Sequence, residues 1–219
     1  AARMAADCAL TCADQILSGA ACAYALARPP GHHAEKKVYG GFCYLNSAAI
    51  AAHFLSRFGR VALLDIDFHH GNGHQDIFYD RNDVLTISLH GHPSYAYPYF
   101  CGFRKEKGEG EGLRYNHNFP LREDTTAVEY RTVLRNALAI ILRFKPAYLV
   151  LSFGLDNAKG DPTGSFGFMA SDFEKIGHMI GLLKHPLLIV QEGGYLTRTM
   201  GQNAGAFFKG IYESIRDDS

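Results

Sequence analysis

The chain has 219 residues, 47% hydrophobic and 20% charged, which fits one globular domain with a sizeable core over residues 1–219. Its 22 Lys and Arg balance its 22 Asp and Glu, so the zero formal charge gives no support to a nucleic-acid or acidic-membrane partner. No apolar stretch is long and clean enough to cross a bilayer, and the alanine-rich start carries Arg3, Asp7, Asp14 and Gln15, unlike a signal peptide.

In chain order, residues 3–27 read as a helix that stops before the turn Arg28-Pro29-Pro30-Gly31. Residues 46–58 read as a second helix, capped by Asn46 or Ser47. The apolar run Val61-Ala62-Leu63-Leu64 opens a buried parallel strand over 61–67. A second strand, 84–89, ends at His90, and residues 91–119, rich in Gly, Pro and aromatics, read as a long functional loop. A helix over about 127–143 is expected to take Asp124 or Thr125 as its cap, followed by a strand at 148–153. A helix beginning at Ser171, with its hydroxyl as cap, a strand at 187–190 and a helix over about 198–215 complete the chain. Alternating strands and helices predict an α/β fold with a parallel sheet covered on both faces.

Three of those four strands end in polar clusters: Asp65 to Asn72, Asp156, and Glu192 to Tyr195. Ligands of open α/β sheets bind beyond the carboxyl ends of the strands, so three segments deliver chemistry to one edge. Side chains two apart on a strand point the same way, so Asp67 and His69 are expected to close on one metal ion. A carboxylate plus an imidazole suits catalytic zinc, although iron(II) or cobalt takes the same ligands. Asp156 alone reads as a helix cap or loop carboxylate; beside Asp67 and His69 it reads as the third ligand.

His32 and His33 follow the rigid Pro29-Pro30-Gly31 turn and suggest an acid/base pair, since imidazole exchanges protons near neutrality. Asp65 and Asn72 are the expected orienting partners. An aspartate raises the basicity of its histidine and an asparagine perturbs it less, so His32 is expected to be the more cationic and His33 the acid/base proper. Tyr195, on a flexible Gly193-Gly194 hinge, is placed to donate to a developing oxyanion or, equally, to pack against a helix. His53, His70, His74, His90, His92, His117, His178 and His185 read as structural or exposed, with His70 buried and hydrogen-bonded. Cys8, Cys12, Cys22, Cys43 and Cys101 are odd in number and form no CxxC pair, which suits a reducing, cytoplasmic compartment.

Four motifs in order, Pro-Pro-Gly-His-His, Asp-x-Asp-x-His-His-Gly-Asn-Gly, Gly-x-Asp-x4-Asp-Pro and Glu-Gly-Gly-Tyr, resemble the zinc-dependent histone deacetylase and acetylpolyamine amidohydrolase superfamily. Ser88-Leu89-His90-Gly91-His92-Pro93, Tyr97-Pro98 and Gly108-x-Gly110-x-Gly112 are most similar to its bacterial acetylpolyamine amidohydrolase branch. The resemblance implies a three-layer α/β/α, arginase/deacetylase-like fold. It implies Asp67, His69 and Asp156 as zinc ligands, His32 and His33 with Asp65 and Asn72 as the tandem histidines and their partners, and Tyr195 as the catalytic tyrosine. Phe42 and Tyr97, with Gly41 and Gly194, would line the acyl tunnel. A monovalent cation, K+ or Na+, would sit on Asp65, Ser88 and Leu89 with backbone oxygens of Asp67 and His69, and a second near Phe78, Arg81 and Val84.

The activity implied is removal of acetyl groups from a small amine such as an acetylpolyamine, with protein acetyl-lysine deacetylation and a silent ligand-binding remnant as the other readings. A homo-oligomer is allowed by the resemblance. The family's domain is longer on its N-terminal side, so its first strand and part of its pocket rim are expected to be missing, leaving an unpaired sheet edge. Thr163 stands where some polyamine-selective relatives carry a glutamate.

Overall fold

The computed structural model describes residues 1–216. Its centre is a six-stranded sheet in which every pairing is parallel: β1 (Cys22–Ala25), β6 (Leu187–Gln191), β5 (Tyr148–Phe153), β2 (Val61–Asp65), β3 (Val84–Gly91) and β4 (Asn116–Leu121), in that spatial order. The four inner strands are near-continuous apolar runs because both faces are covered. Val61, Leu63, Val84, Val150, Leu188 and Val190 pack against α1 (Ala2–Leu17) and α2 (Ser47–Leu55), whose alanines allow close approach. The alternate residues Ala62, Leu64, Ile87, Leu151, Phe153 and Ile189 face the core of α4 (Ala127–Phe144), α5 (Ala170–Gly181) and α6 (Thr197–Arg216). The result is three layers, helix, sheet and helix.

Two edge strands and two helices differ from the sequence expectation. The helix expected over 3–27 ends at Leu17, where Ser18, Gly19 and Ala20 fold back onto Asp14, Ile16 and Gln15. Cys22–Ala25 then pairs with Leu187–Val190 as β1. Its alanines suit a helix as well as a strand, so only the partner decides. β4 begins inside the segment read as a loop and runs two residues past its end. It is polar, Asn-His-Asn-Phe-Pro-Leu, and its Pro120 is tolerated because the strand is an edge. Asn72–Phe78 forms a short α3, also unanticipated, and Gly110–Gly112 a single 3-10 turn. On its outer side β1 pairs with no strand among the described residues.

The caps also shift. Asn46 caps α2 as expected, its Oδ1 accepting the Ala49 N–H at 2.9 Å. At α4 the cap is Thr126, in a reciprocal box with Glu129, because Asp124 is engaged with Arg122 and Thr125 is buried. At α5 the Ser171 hydroxyl is not the cap. The Asp172 carboxylate accepts the Met169 N–H instead, at 3.1 Å.

The topology places the site. From β2 the chain passes through α3 to β3, and from β5 through α5 to β6, on the other side. The two helices lie on opposite faces, so a crevice opens beyond the carboxyl ends of the adjacent strands β2 and β5.

Candidate active site

The floor of that crevice is built from the turn after β2 and the turn after β5. Asp67 Oδ1 and Asp156 Oδ2 converge on His69 Nδ1, at 3.2 and 2.9 Å. One ligand atom from each of the three residues lies within 4.8 Å of the others. The remaining carboxylate oxygens are held by the backbone: Gly193 N–H donates to Asp67 Oδ2 at 2.8 Å, and Phe68 N–H to Asp156 Oδ1 at 2.8 Å. Gly193 must be glycine here, since a Cβ would stand 2.7 Å from Asp67 Oδ2 and 2.9 Å from Asp156 Oδ2.

The charge of this floor demands a cation. Asp67 and Asp156 are both 0% exposed. Among the described residues their ion pairs run to His32 and His69 and to no lysine or arginine. Burial acts against charge on His69, yet hydrogen bonds to Asp156 and Asp67 outweigh it and raise it to about 10. Buried carboxylates need a positive partner, and two carboxylates with one imidazole aimed at one point fit a divalent metal ion, which would take the place of the proton now held at His69 Nδ1.

The wall beside this triad is the histidine pair, brought from the segment before α2. His32 Nδ1 lies 3.0 Å from Asp65 Oδ2, and His33 Nδ1 lies 2.6 Å from Asn72 Oδ1. Their rings stand 4.0 Å apart. Burial lowers His32, but Asp67 and Asp65 overcome it and hold the group well above its ordinary value. His33 is pushed well below, first by burial and then by the charge of His32. The contrast between the two is wider than aspartate against asparagine alone would give. Asn72 Nδ2 donates to Glu35 at 2.7 Å, which turns its Oδ1 toward His33. The His33 proton therefore sits on Nδ1, and Nε2 carries a lone pair.

An open pocket of about 310 Å³ joins His32, His33, Asp67 and His69 to Gly41, Phe42, Tyr97, Thr163 and Tyr195. The Tyr97 ring meets His33 edge-on at 4.7 Å, and Phe42 meets Tyr195 at 5.8 Å. Gly41, at φ 54°, has no room for a side chain, because a Cβ would lie 2.3 Å from His33 Cδ2. The Gly193-Gly194 pair is not the free hinge the sequence suggested. Gly193 is tied to Asp67 and to Leu155, and Asp161 Oδ2 accepts the N–H groups of Tyr195 and Leu196 at 2.7 and 3.0 Å. Glycine serves close approach here rather than swing, and Tyr195 is presented on a pinned turn.

Asp161 and Glu192 are site residues that sequence reasoning did not single out, although both lie inside the quoted motifs. Glu192 is buried behind the histidines, and burial raises it to about 7. For the expected monovalent cation, the register sets Asp65 opposite Ser88, with Leu89 buried next to it. Ser88 Oγ is shared between His90 Nδ1 at 2.8 Å and His70 Nδ1 at 3.3 Å, so the buried His70 is hydrogen-bonded at Nδ1.

Residues 1–211 match the family described as histone deacetylase domain. The chain is 48% identical over 212 residues to an acetylpolyamine amidohydrolase of Burkholderia pseudomallei, covering 96% of this chain and 62% of that one. It is 44% identical over 208 residues to acetylpolyamine amidohydrolase 2 of Pseudomonas aeruginosa, covering 94% and 60%. The crystal structure of acetylpolyamine aminohydrolase from Burkholderia pseudomallei superposes with a TM-score of 0.96 at 46% identity, covering 97% of this chain and 63% of that one. The chain thus spans less than two thirds of the length of these relatives. With a family match over nearly its whole length, it belongs to the histone deacetylase domain family.

Proposed function

We propose that residues 1–219 form part of a single catalytic domain that hydrolyses the amide of small acetylated amines, acetylpolyamines foremost, to acetate and the free amine. The observation that carries this reading is one pocket floor on which the Asp67, His69 and Asp156 ligand atoms gather beside a neutral histidine with a free Nε2 lone pair. Asp67, His69 and Asp156 would hold the zinc ion, which when bound polarises an amide carbonyl and acidifies water. His33 Nε2 takes a proton from the attacking water and returns it to the leaving amine nitrogen as the C–N bond breaks. His32, charged and paired with Asp65, keeps the field around His33 positive and so keeps His33 neutral between turnovers. The Tyr195 phenol donates to the carbonyl oxygen as negative charge gathers on it. Phe42 and Tyr97 flank the acetylated arm, and Gly41, which has no room for a side chain against His33 and Tyr97, lines its path. A K+ or Na+ ion on Asp65, Ser88 and Leu89 would stiffen the end of β2. The relatives named acetylpolyamine amidohydrolases support the substrate class. The five unpaired cysteines suit a reducing, cytoplasmic setting.

The test measures metal content of the purified protein together with hydrolysis of N-acetylputrescine and of an acetyl-lysine peptide. Zinc near one equivalent and faster turnover of N-acetylputrescine are expected. Zinc-loaded protein inactive on both substrates would remove the hydrolase reading; preference for the peptide would remove only the polyamine assignment.

A further inference from the structure

Behind the histidine pair the buried polar atoms on one face of the sheet close into a ring. The register sets Ser152 of β5 beside Asp65 of β2, and Glu192 follows Val190, the β6 partner of Ser152, by two residues. His74 of α3 sits beside this row. Glu192 Oε2 accepts the N–H groups of Gly31 and His32 at 2.7 and 3.1 Å, and its Oε1 accepts the Ser152 hydroxyl at 3.2 Å. Ser152 Oγ lies 2.8 Å from His74 Nε2, which is 3.5 Å from Asp65 Oδ2. That same aspartate oxygen holds His32 Nδ1 at 3.0 Å.

The ring has a direction. Among the described residues the buried His74 Nδ1 has no hydrogen-bond partner, so a proton there would be an unsatisfied buried donor. His74 Nε2 faces two oxygens, so it carries the proton. With Glu192 ionised, Ser152 therefore accepts from His74 and passes its own hydrogen to Glu192. Both ends of the path finish on His32: Asp65 holds its imidazole and Glu192 holds its backbone. His74, Ser152 and Glu192 are all buried, and none lines the pocket.

We propose that His74, Ser152 and Glu192 are positioning residues for the hydrolysis, a one-way hydrogen-bond ring that fixes His32 at its backbone and its ring together. This rests on the amidohydrolase reading above and adds residues that touch no substrate atom. Misplacing a group in a site by about 1 Å costs on the order of a hundredfold, so a loosened ring is visible in turnover.

Glu192→Gln tests the direction. The new amide oxygen must serve the Gly31 and His32 N–H groups, so its NH2 faces Ser152. Ser152 then sends its hydrogen to His74, whose proton is forced onto the partnerless Nδ1. Turnover (kcat) is expected to fall about tenfold with KM changed by less than about twofold. Nitrogen-15 NMR of the imidazoles should show His74 protonated at Nε2 in the parent protein and at Nδ1 in Glu192→Gln. Should Glu192→Gln fail to fold, Ser152→Ala, which deletes only the link, is expected to lower kcat about threefold at constant KM.

Unchanged kcat in both Glu192→Gln and Ser152→Ala, or a parent His74 protonated at Nδ1, would overturn the ring. A parent protein with His74 protonated at Nε2 but no hydrolysis of any acetylated amine would instead sink the amidohydrolase reading, and with it the catalytic role of an otherwise intact ring.

Discussion

The floor and the rim of the pocket are built on opposite plans. On the floor, Asp67, Asp156 and His33 are at most 4% exposed, and each side chain is held by a defined partner. On the rim, Phe42 is 68% exposed, and its contact with Tyr195 is ring edge against ring. Buried polar groups carry a large penalty when a partner is lost, whereas exposed rings lose only contact area. The chemistry is therefore tied to a frame that admits little variation, and the selection of substrate to a surface that varies cheaply.

This contrast can be broken most forcefully at the metal ligands. Asp156→Ala should abolish both metal retention and turnover, exceeding the roughly 10–100-fold expected for residues that only support the ligands; metal analysis beside activity checks it, and a metal-free but active variant would dissolve the distinction. His33→Ala should cost about 10²–10⁴-fold in kcat with metal content unchanged, as removal of a general acid/base does. Tyr195→Phe should cost about 10²–10³-fold, again with metal retained; full activity in this variant would return Tyr195 to the packing role. Asp161→Ala sharpens the comparison, because it removes the acceptor of the Tyr195 and Leu196 N–H groups and frees Tyr195 from its anchor; about a tenfold loss of kcat is expected, read by steady-state kinetics. Phe42→Ala should have the smallest effect, raising KM about threefold with kcat nearly constant, since it removes exposed contact area alone.

The four inner strands and the helices α2, α4 and α6 were legible in the amino-acid order, because apolar runs and helical periodicity are local properties. So was the segment from Asp65 to Gly73, which holds two of the three metal-site side chains and both orienting partners within nine positions. Tertiary structure alone decided the rest. β1 and β4 are strands because β6 and β3 offer them an edge, although Cys-Ala-Tyr-Ala and Asn-His-Asn-Phe-Pro-Leu carry no strand signal of their own. The same holds at the site. Gly31 and Glu192 are 161 positions apart yet share a hydrogen bond, and Asp67 is held by Gly193, 126 positions away. Residue types announce what chemistry is available; which of them support it depends on distances that only the folded sheet sets.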